Sequence, residues 1–556
     1  MKALQRPMLL TGLVFLLVYL LPLGIRPLFI PDETRYAEIA REMIAHGNWV
    51  VPHLNGLDYF EKPVLGYWMY ALAQLLFGAT RFAVRFPSAL AAGLSAALLL
   101  LFCRIPARSM PGQRLGTLAA LIFLSTLTVA GIGTFAVLDT LLTLYLTLTL
   151  VAFFLATEAG RASRQESLWL LVAGFGCGLA FLTKGFLALA IPVLVIVPFL
   201  LWQGRWRDLL RMAWLPLLTA FLVSLPWSLL IHQRAPDFWN FFFWNEHVKR
   251  FFSAQAQHAE PAWYFLVLLP IMALPWSFLL GSVWQGVRSR QTPAPGERAL
   301  VRFALCWLVL PLLFFSASSG KIATYILPCF PAIAVLLACG LDRFATTGKQ
   351  RSFNIGTMLA AGFFGLILIT LQVAQLVGYQ GAPVYSSLLP WLGGSLALAL
   401  TVAVYLVTLR ISNHWQKILL FALAPIPLLC FVPNMMPDLT LAKKDPVTFL
   451  EQLSPQLKPT DIILADVGMA PAICWSQKRD DIYLLQNKGE LAYGVEQPNG
   501  MARFLTLELA GKMIAEYPGR VVIIAKQKQA REWLEQLPPP LDLSENHPQG
   551  FVALRF

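Results

Sequence analysis

The chain has 556 residues, of which 57% are hydrophobic and only 13% are charged, and its mean hydropathy is +0.63. This composition excludes a large soluble enzyme and predicts a polytopic α-helical membrane protein. The formal net charge of +13 does not indicate nucleic-acid binding, because the basic residues lie in short loops between apolar runs, where they set membrane topology.

Apolar runs long enough to cross a membrane recur along most of the chain. At roughly 20 residues per span, we predict about thirteen transmembrane helices, at residues 8–24, 87–103, 115–133, 136–156, 167–183, 186–202, 210–231, 262–283, 300–316, 322–340, 354–377, 386–409 and 417–433. The first run is expected to be a span and not a signal peptide, because no small-residue cleavage site follows it. Residues 64–80 are apolar but short, which favours a re-entrant or interfacial helix, with a fourteenth span as the alternative.

Basic residues are distributed unevenly between alternate loops. Loops after the even-numbered predicted spans hold clusters such as Arg205, Arg207 and Arg211, whereas the opposite short loops hold only Lys184 and Lys321. Since cytoplasmic loops carry the excess of positive charge, we predict a cytoplasmic N-terminus, with the first long loop and the C-terminus on the outer face. In a bacterium this arrangement predicts a multi-pass inner-membrane protein with a periplasmic C-terminal domain.

The composition becomes polar from about residue 436. Strand-like and helical runs alternate there, with strands at 462–465, 482–485, 521–525 and 551–556 and helices near 445–453 and 505–516. We therefore predict a transmembrane catalytic domain over residues 1–435 and a small α/β domain over 436–556.

Ionisable residues gather in segments that this topology assigns to the outer face. The first long loop holds two polar motifs, Pro31–Glu38 and Phe60–Pro63, and such charges beside a membrane span are costly unless they function. Four further segments contribute Asp139, Lys184, Glu246, His247, Lys249, Arg250, Lys321 and Tyr325. The surplus of lysine and arginine, beside apolar spans, suits a ligand with a phosphate head and an apolar tail.

Each of these residues also has an ordinary structural explanation. Asp32 could cap the helix that follows it, and Lys184, Lys321 and Arg250 could extend to the membrane interface. The aromatic residues at 238–252 are typical of an interfacial belt. Asp139 is harder to explain in this way, because a carboxylate near the end of a span needs a partner.

Four motifs resemble the aminoarabinose transferase branch of the C-type integral-membrane glycosyltransferases, with the dolichyl-phosphate-mannose protein mannosyltransferases as distant relatives. They are Pro31-Asp32-Glu33-Thr34-Arg35-Tyr36-Ala37-Glu38, Phe60-Glu61-Lys62-Pro63, Leu182-Thr183-Lys184-Gly185-Phe186-Leu187-Ala188 and Lys321-Ile322-Ala323-Thr324-Tyr325-Ile326-Leu327. The resemblance implies the GT-C fold, a donor of undecaprenyl phosphate carrying 4-amino-4-deoxy-L-arabinose, and a phosphate of lipid A as acceptor. Transfer at the periplasmic face would confer resistance to polymyxin and cationic antimicrobial peptides.

The resemblance also implies a set of site residues. Its motif assigns the catalytic aspartate to Asp32, and we expect Glu61 and Lys62 to act with it. We expect Lys62 and Arg250 to hold the donor phosphate, and Asp139 to hold the sugar or support Lys62. The other expected substrate-binding residues are Arg35, Tyr36, Lys184, His247, Lys321 and Tyr325. No nucleotide cofactor is expected because the sugar arrives on a lipid, a divalent metal is left open, and we expect a monomer embedded in membrane lipids.

Two alternatives stay open at the level of sequence. One is a polyprenyl-phosphate-sugar transferase with a protein or glycan acceptor, and the other is a flippase or exporter of an anionic lipid. Transporters usually place charge near the bilayer midplane, whereas here the charge gathers at one face, which favours the enzyme.

Overall fold

The computed structural model describes residues 2–104, 110–249, 259–288, 295–347, 349–378, 382–547 and 550–556. Within these residues, nine helices are long and apolar enough to cross a membrane. They are Arg81–Cys103, Leu138–Glu158, Arg164–Lys184, Trp206–Arg234, Gly296–Ala317, Ala323–Thr346, Gln350–Val377, Leu388–Arg410 and His414–Asn434. Each coincides with a predicted span, so the expectation of a polytopic helical membrane protein is confirmed.

Two more predicted spans are bent helix pairs. Arg114–Ser125 and Leu127–Gly133 meet at 66°, and Tyr264–Met272 and Trp276–Val287 meet at 90°. The two breaks face each other, since the amide of Leu127 donates to the carbonyl of Leu274 at 2.9 Å. Irregular backbone at membrane depth needs such protein partners because lipid offers none.

Three shorter apolar helices complete this set of described helices: Met8–Leu20, Leu65–Phe77 and Leu187–Trp202. The first and third coincide with predicted spans. Leu65–Phe77 has 13 residues, which at 1.5 Å per residue is far shorter than a hydrocarbon core of about 30 Å. This length agrees with the predicted re-entrant or interfacial helix and not with a fourteenth span.

The helix Leu138–Glu158 forms the centre of the bundle, with 94% of its apolar window buried. Its threonines satisfy their own hydroxyls, since Thr143 and Thr147 donate to backbone carbonyls one turn earlier at 2.7 and 2.6 Å. The helix can therefore be buried without external polar partners. Its first turn carries Asp139.

The first long loop folds into a helix and a hairpin. The helix Asp32–His46, called the site helix below, ends at Gly47, whose φ of 65° gives the left-handed turn typical of a helix C-terminus. Strands β1 (His53–Leu54) and β2 (Leu57–Asp58) then pair antiparallel.

The C-terminal region, residues 438–556, contains a six-stranded mixed sheet. Its strands are β3 (Ile462–Ala465), β4 (Tyr483–Leu485), β5 (Phe504–Leu505), β6 (Val521–Lys526), β7 (Asp542–Glu545) and β8 (Phe551–Arg555), in the order β5-β4-β3-β6-β8-β7. Its main helices are Asp438–Lys444, Pro446–Leu453, Ala470–Gln477, Leu507–Glu516 and Gln527–Leu534. The sequence predicted four of the strands. It missed β5, which has only two residues, and β7, whose Asp-Leu-Ser-Glu sequence is largely polar.

The C-terminal region packs directly on the first long loop. The side chain of Asn55, in the hairpin turn, donates to the carbonyl of Ile482 at 2.8 Å and accepts from its amide at 2.9 Å. Gly494 lies so close to β2 that a Cβ there would meet the carbonyl oxygen of Asp58 at 2.7 Å. One face of the sheet, through Ile463 of β3, and the helix Ala470–Gln477, through Ile473, accordingly join the apolar cluster of the membrane helices.

Candidate functional site

Asp32 stands in the first turn of the site helix but does not cap it, because the N-cap position is Pro31 and no side-chain capping bond is formed. Its carboxylate instead contacts the guanidinium of Arg35, three residues later. The carboxylate of Asp32 is 39% exposed, whereas the Arg35 side chain is only 11% exposed. Asp32 is thus accessible at a surface where Arg35 fixes its orientation.

The guanidinium of Arg35 also contacts the carboxylate of Glu490, a residue of the C-terminal region. The hydroxyl of Tyr59 donates to the same carboxylate at 3.0 Å. Sequence analysis missed Glu490, since it lies outside every motif and only the docking of the C-terminal region brings it to Arg35. Burial by itself lowers the pKa of Arg35, but neighbouring groups, with Tyr59, Tyr36 and Asp32 foremost, outweigh it and raise the pKa.

Tyr36 forms the partly buried floor of this cluster. Its ring stacks on Tyr70 with 5.6 Å between centroids and lies 6.2 Å from the ring of Tyr67. Burial, reinforced by the negative charges of Asp32, Asp139 and Glu61, raises the pKa of Tyr36, although nearby Arg35 opposes this. The charges of the predicted residues Asp32, Arg35, Glu61 and Asp139 therefore all act on one phenol.

Two buried donors in this cluster have no hydrogen-bond partner among the described residues, the Nε of Arg35 and the hydroxyl of Tyr67. A buried polar group without a partner is costly, and such groups are retained where a ligand supplies the acceptor. The cluster around Tyr36 therefore offers positive and neutral donors to an oxygen-rich ligand.

Asp139 and Lys184 form an ion pair of 2.8 Å in which the two side chains are 10% and 11% exposed. The ammonium also lies 5.4 Å from the centre of the Tyr325 ring, a cation–π contact. The expectation that Asp139 needs a partner is confirmed. The partner is Lys184, which therefore does not simply extend to the interface. The expected support of Lys62 stays a prediction.

Glu61 and Lys62 lie together, with 3.7 Å between Lys62 Nζ and the nearest carboxylate oxygen of Glu61. Lys62 Nζ also donates to the backbone carbonyl of Glu61 at 2.6 Å. The neighbouring Phe60 is held by the rings of Phe238 and of Tyr493 in the C-terminal region, at 5.2 and 4.7 Å between centroids. Aromatic packing thus fixes the second motif, with the C-terminal region again contributing.

Among the described residues, the hydrogen bonds of Lys321 lie outside this network. Lys321 is buried, and its ammonium donates to the backbone carbonyls of Glu260 and Ser318 at 2.6 and 2.5 Å. The side chain of His247 and all of Arg250 lie outside the described residues. Their predicted roles stay predictions.

Glu33, next to Asp32, is the centre of a fully buried ion cluster. Its carboxylate binds Arg26 at 2.9 Å and Arg85 at 2.7 Å and accepts from the amide of Ala136 at 3.2 Å. Burial alone would raise the pKa of Glu33, but the two guanidinium groups hold it below its usual value. This cluster joins the site helix to the helix that carries Asp139. Arg85 could have been suspected from sequence, since an arginine inside an apolar helix needs a partner.

A second pair of buried carboxylates, Glu38 and Glu42, lies further along the site helix. Burial raises the pKa of both, and Arg41 opposes this by donating two hydrogen bonds to Glu38, at 2.7 and 2.6 Å. The negative charge of Glu42 adds to the rise in the pKa of Glu38. Glu38 therefore favours its protonated form where the site helix meets the C-terminal region.

Within the described residues, one group could hold a metal ion: Glu42, His46 and Asp480, whose ligand atoms lie within 4.8 Å of one another. Hydrogen bonds already account for all three. Glu42 accepts from the amides of Asn55 and Gly56, and His46 Nε2 lies 2.5 Å from Asp480 Oδ2.

Two family models match the chain. The model described as dolichyl-phosphate-mannose-protein mannosyltransferase matches residues 6–242. The model described as the C-terminal domain of arabinosyl transferase ArnT matches residues 441–553.

Solved structures support the same fold. The backbone is similar to that of ArnT from Cupriavidus metallidurans bound to undecaprenyl phosphate, with a TM-score of 0.81 and 23% identity over 99% of this chain and 97% of that one. It is also similar to the oligosaccharyltransferase of Archaeoglobus fulgidus, with a TM-score of 0.52 and 13% identity over 96% of this chain and 71% of that one. The predicted GT-C fold is confirmed.

Sequence relatives are considerably closer. The chain is 39% identical to the undecaprenyl phosphate-alpha-4-amino-4-deoxy-L-arabinose arabinosyl transferase of Shewanella sediminis, over 94% of both chains. It is 41% identical to the protein of the same name from Aeromonas salmonicida, over 92% of this chain and 93% of that one. The chain therefore belongs to the family of undecaprenyl phosphate-α-4-amino-4-deoxy-L-arabinose arabinosyl transferases.

Proposed function

We propose that this chain transfers 4-amino-4-deoxy-L-arabinose from undecaprenyl phosphate to a phosphate of lipid A. The reaction takes place at the periplasmic face of the bacterial inner membrane, with the N-terminus in the cytoplasm and residues 436–556 as a periplasmic domain. The product carries an added positive charge, which lowers the affinity of the membrane for polymyxin and cationic peptides. Family membership and the distribution of basic residues between loops support this proposal.

The observation that carries the proposal is the mixed-charge cluster around Tyr36. Asp32 provides an accessible carboxylate, while Arg35 Nε and the Tyr67 hydroxyl are buried donors without partners among the described residues. Asp139 and Lys184 provide a second carboxylate and an ammonium. A donor with a phosphate, a sugar and an ammonium group presents the complementary chemistry.

The acceptor's chemistry decides the role of Asp32. A phosphate monoester has a second pKa of about 6, so the acceptor is already an anion near neutral pH and needs little help from a general base. Asp32 and Glu61 therefore orient the acceptor or the sugar's ammonium and stabilise positive charge at the anomeric carbon. Lys62 and Arg250 stabilise the donor phosphate as it leaves. Direct displacement inverts the configuration at that carbon.

Several simpler features complete the proposal. The reaction needs no nucleotide, because the donor sugar is already activated as a phosphodiester of the lipid carrier. A monomer contains all of the described residues named in the cluster.

Mass spectrometry of lipid A tests the substrate class. Cells that lack the gene are compared with the same cells carrying it, and an addition of the mass of one aminopentose is expected only with the gene. Lipid A unchanged by a well-expressed chain would refute the proposal.

The assignment of the site is tested separately with purified protein and lipid-linked donor. Asp32→Asn and Lys62→Ala are expected to lose at least about a hundredfold in rate, whereas Lys512→Ala, on the exposed surface of the C-terminal region, retains the normal rate. Normal turnover by both site variants would exclude this cluster as the reaction centre while leaving the substrate assignment intact.

A further inference from the structure

A strongly basic cavity of about 720 Å³ lies in the C-terminal region, away from the cluster around Tyr36. Five basic side chains and a single acidic one line it: Lys443, Lys444, Lys526, Lys528, Arg531 and Glu532. All five basic residues are exposed. Within the described residues none of the five forms an ion pair with a carboxylate. The cavity is therefore a concentration of positive charge that the protein itself does not neutralise.

The fold places this cavity close to the membrane surface. Lys443 and Lys444 end the short helix Asp438–Lys444, which follows the last membrane helix, His414–Asn434. At the start of the short helix, Asp438 accepts from the amide of Ser386 at 2.6 Å, immediately before the membrane helix Leu388–Arg410. The short helix is thus tied to the membrane-adjacent backbone at its first residue.

The other end of the short helix is tied to the candidate site. The amide of Ile30 donates to the carbonyl of Lys444 at 3.0 Å, and Ile30 is two residues from Asp32. The cavity and the site helix therefore lie on the same face of the membrane and are joined through one backbone hydrogen bond.

The opposite wall of the cavity is held in place by tight packing. The amide of Gln527 donates to the carbonyl of Gly550 at 3.0 Å. A Cβ on Gly550 would lie 2.9 Å from the carbonyl oxygen of Ala442, so this close approach requires glycine. Because these contacts fix both walls, the lysines at 443–444 and those at 526–528 face one shared space.

We propose that this cavity binds the phosphate of a lipid head group at the outer membrane surface. Clustered positive charges repel one another, and a bound phosphate relieves that repulsion through two charged oxygens in a diester or three in a monoester. Lysine ammonium groups suit phosphate as point charges, and Arg531 adds fork geometry. At the cytoplasmic surface, clusters of four to eight lysine and arginine residues next to a membrane helix bind anionic lipid head groups, and the same attraction between opposite charges acts at the outer surface.

Two lipids can supply this phosphate. One is an anionic phospholipid of the surrounding bilayer, and the other is the acceptor, through a phosphate other than the one being modified. The second source rests on the proposed function. The binding of a phospholipid does not depend on the proposed function. An experiment can therefore refute the lipid site and the proposed function separately.

The experiment uses the full-length protein in neutral detergent. Binding of short-chain phosphatidylglycerol is measured by native mass spectrometry, with inorganic phosphate as competitor. Short-chain phosphatidylcholine, which is zwitterionic and has no net charge, is the comparison. The test variant carries Lys526→Gln, Lys528→Gln and Arg531→Gln. Its matched control carries Lys458→Gln, Lys478→Gln and Lys512→Gln, three exposed lysines elsewhere in the C-terminal region, so both variants lose the same net charge.

We expect the test variant to bind phosphatidylglycerol at least tenfold more weakly than the control variant does, with equal thermal stability. Competition by millimolar inorganic phosphate would assign the site to phosphate itself, and no competition would assign it to the intact head group. Equal weakening in both variants, or equal binding of the two lipids by the unmodified protein, would overturn the proposal. A rise in the acceptor's KM without a fall in kcat, in the test variant alone, would identify the acceptor as the source of the phosphate. If the unmodified protein transfers no sugar but still binds phosphatidylglycerol selectively, only the proposed function fails.

Discussion

The carboxylate of Glu490, in the C-terminal region, contacts the guanidinium of Arg35, which also contacts Asp32. One arginine is therefore shared between a carboxylate of the first long loop and a carboxylate that arrives from near the other end of the chain. The C-terminal region is therefore part of the candidate site. Its packing on the first long loop places Glu490 on the arginine that orients Asp32.

Replacing Glu490 with glutamine should slow the reaction without unfolding the protein. The guanidinium of Arg35 would then be held by Asp32 alone, which would neutralise more of the Asp32 charge and turn its carboxylate from its working orientation. The loss of one charge-assisted contact predicts a fall in kcat of about tenfold, with the donor's KM little changed.

The control for this prediction is Glu496→Gln, in the same segment, because Glu496 forms only an exposed ion pair with Lys488 at 3.1 Å. Steady-state kinetics on both variants and on Glu490→Asp provide the comparison. Partial recovery in Glu490→Asp would indicate a role in positioning. Equal kcat values for the Glu490→Gln and Glu496→Gln variants would contradict it.

The ion pair between Asp139 and Lys184 can be separated into structural and functional parts by a double-mutant cycle. Lys184→Met alone leaves the Asp139 carboxylate with little exposure and no cation, so we expect it to lower both stability and activity, the latter at least about tenfold. Asp139→Leu combined with Lys184→Met removes both charges and should recover most of the stability.

Activity in the double variant decides the role of the pair. If Lys184 or Asp139 contacts substrate, transfer stays low although the apparent unfolding temperature recovers. Recovery of both quantities together would show that the pair only supports the fold.

Much of the architecture could be predicted because the membrane imposes strong rules. A run of about 20 apolar residues must become a helix in lipid, and every predicted span coincides with a helix or a helix pair. The motifs likewise indicated Asp32, Arg35 and Tyr36 without any structure, and the position of Asp139 near the end of a span indicated that residue. What the sequence could not indicate was pairing between distant segments.

The partner of Asp139 illustrates this limit. A carboxylate near the end of a span needs a cation, so a partner was expected, but Lys62 and Lys184 satisfied that rule equally well. Only the packing of neighbouring helices selects Lys184. Glu490 gave no signal at all, since an exposed-looking glutamate in a polar segment has no distinguishing pattern.

Glu33 should matter for stability and not directly for chemistry, although it is adjacent to Asp32. Glu33→Gln leaves the guanidinium groups of Arg26 and Arg85 buried without a countercharge, which typically costs about 3–5 kcal/mol. We expect poor recovery of folded protein in detergent and a clearly lower apparent unfolding temperature.

Glu451→Gln is a suitable control for Glu33→Gln, because Glu451 faces Arg81 at 3.6 Å in an exposed pair. Surface pairs are worth about 1 kcal/mol or less, so this variant should behave like the unmodified protein. If the two variants unfold at the same temperature, the buried cluster is not the anchor of the site helix.

The pair of Glu38 and Glu42 predicts how the contact between the site helix and the C-terminal region responds to pH. Burial raises the pKa of Glu38 well above its usual value, against the opposing effect of Arg41. The folded protein therefore binds this proton at pH values where the unfolded chain, with a glutamate pKa of about 4.3, has released it. Stability consequently falls as the pH rises from about 4.3 towards the pKa of Glu38 in the folded protein. The stabilising effect of the bound proton is complete only below the pKa of the unfolded chain.

Glu38→Gln mimics the protonated form and should remove this dependence. Apparent unfolding temperatures, measured at one scan rate from pH 5 to pH 8, are expected to decline for the unmodified protein and to stay nearly level for the variant. Glu508→Gln, an exposed change in the C-terminal region, should follow the unmodified protein. If Glu38→Gln is destabilised at pH 8 relative to the unmodified protein, Glu38 is ionised there, and its hydrogen bonds with Arg41 outweigh the cost of burying the charge.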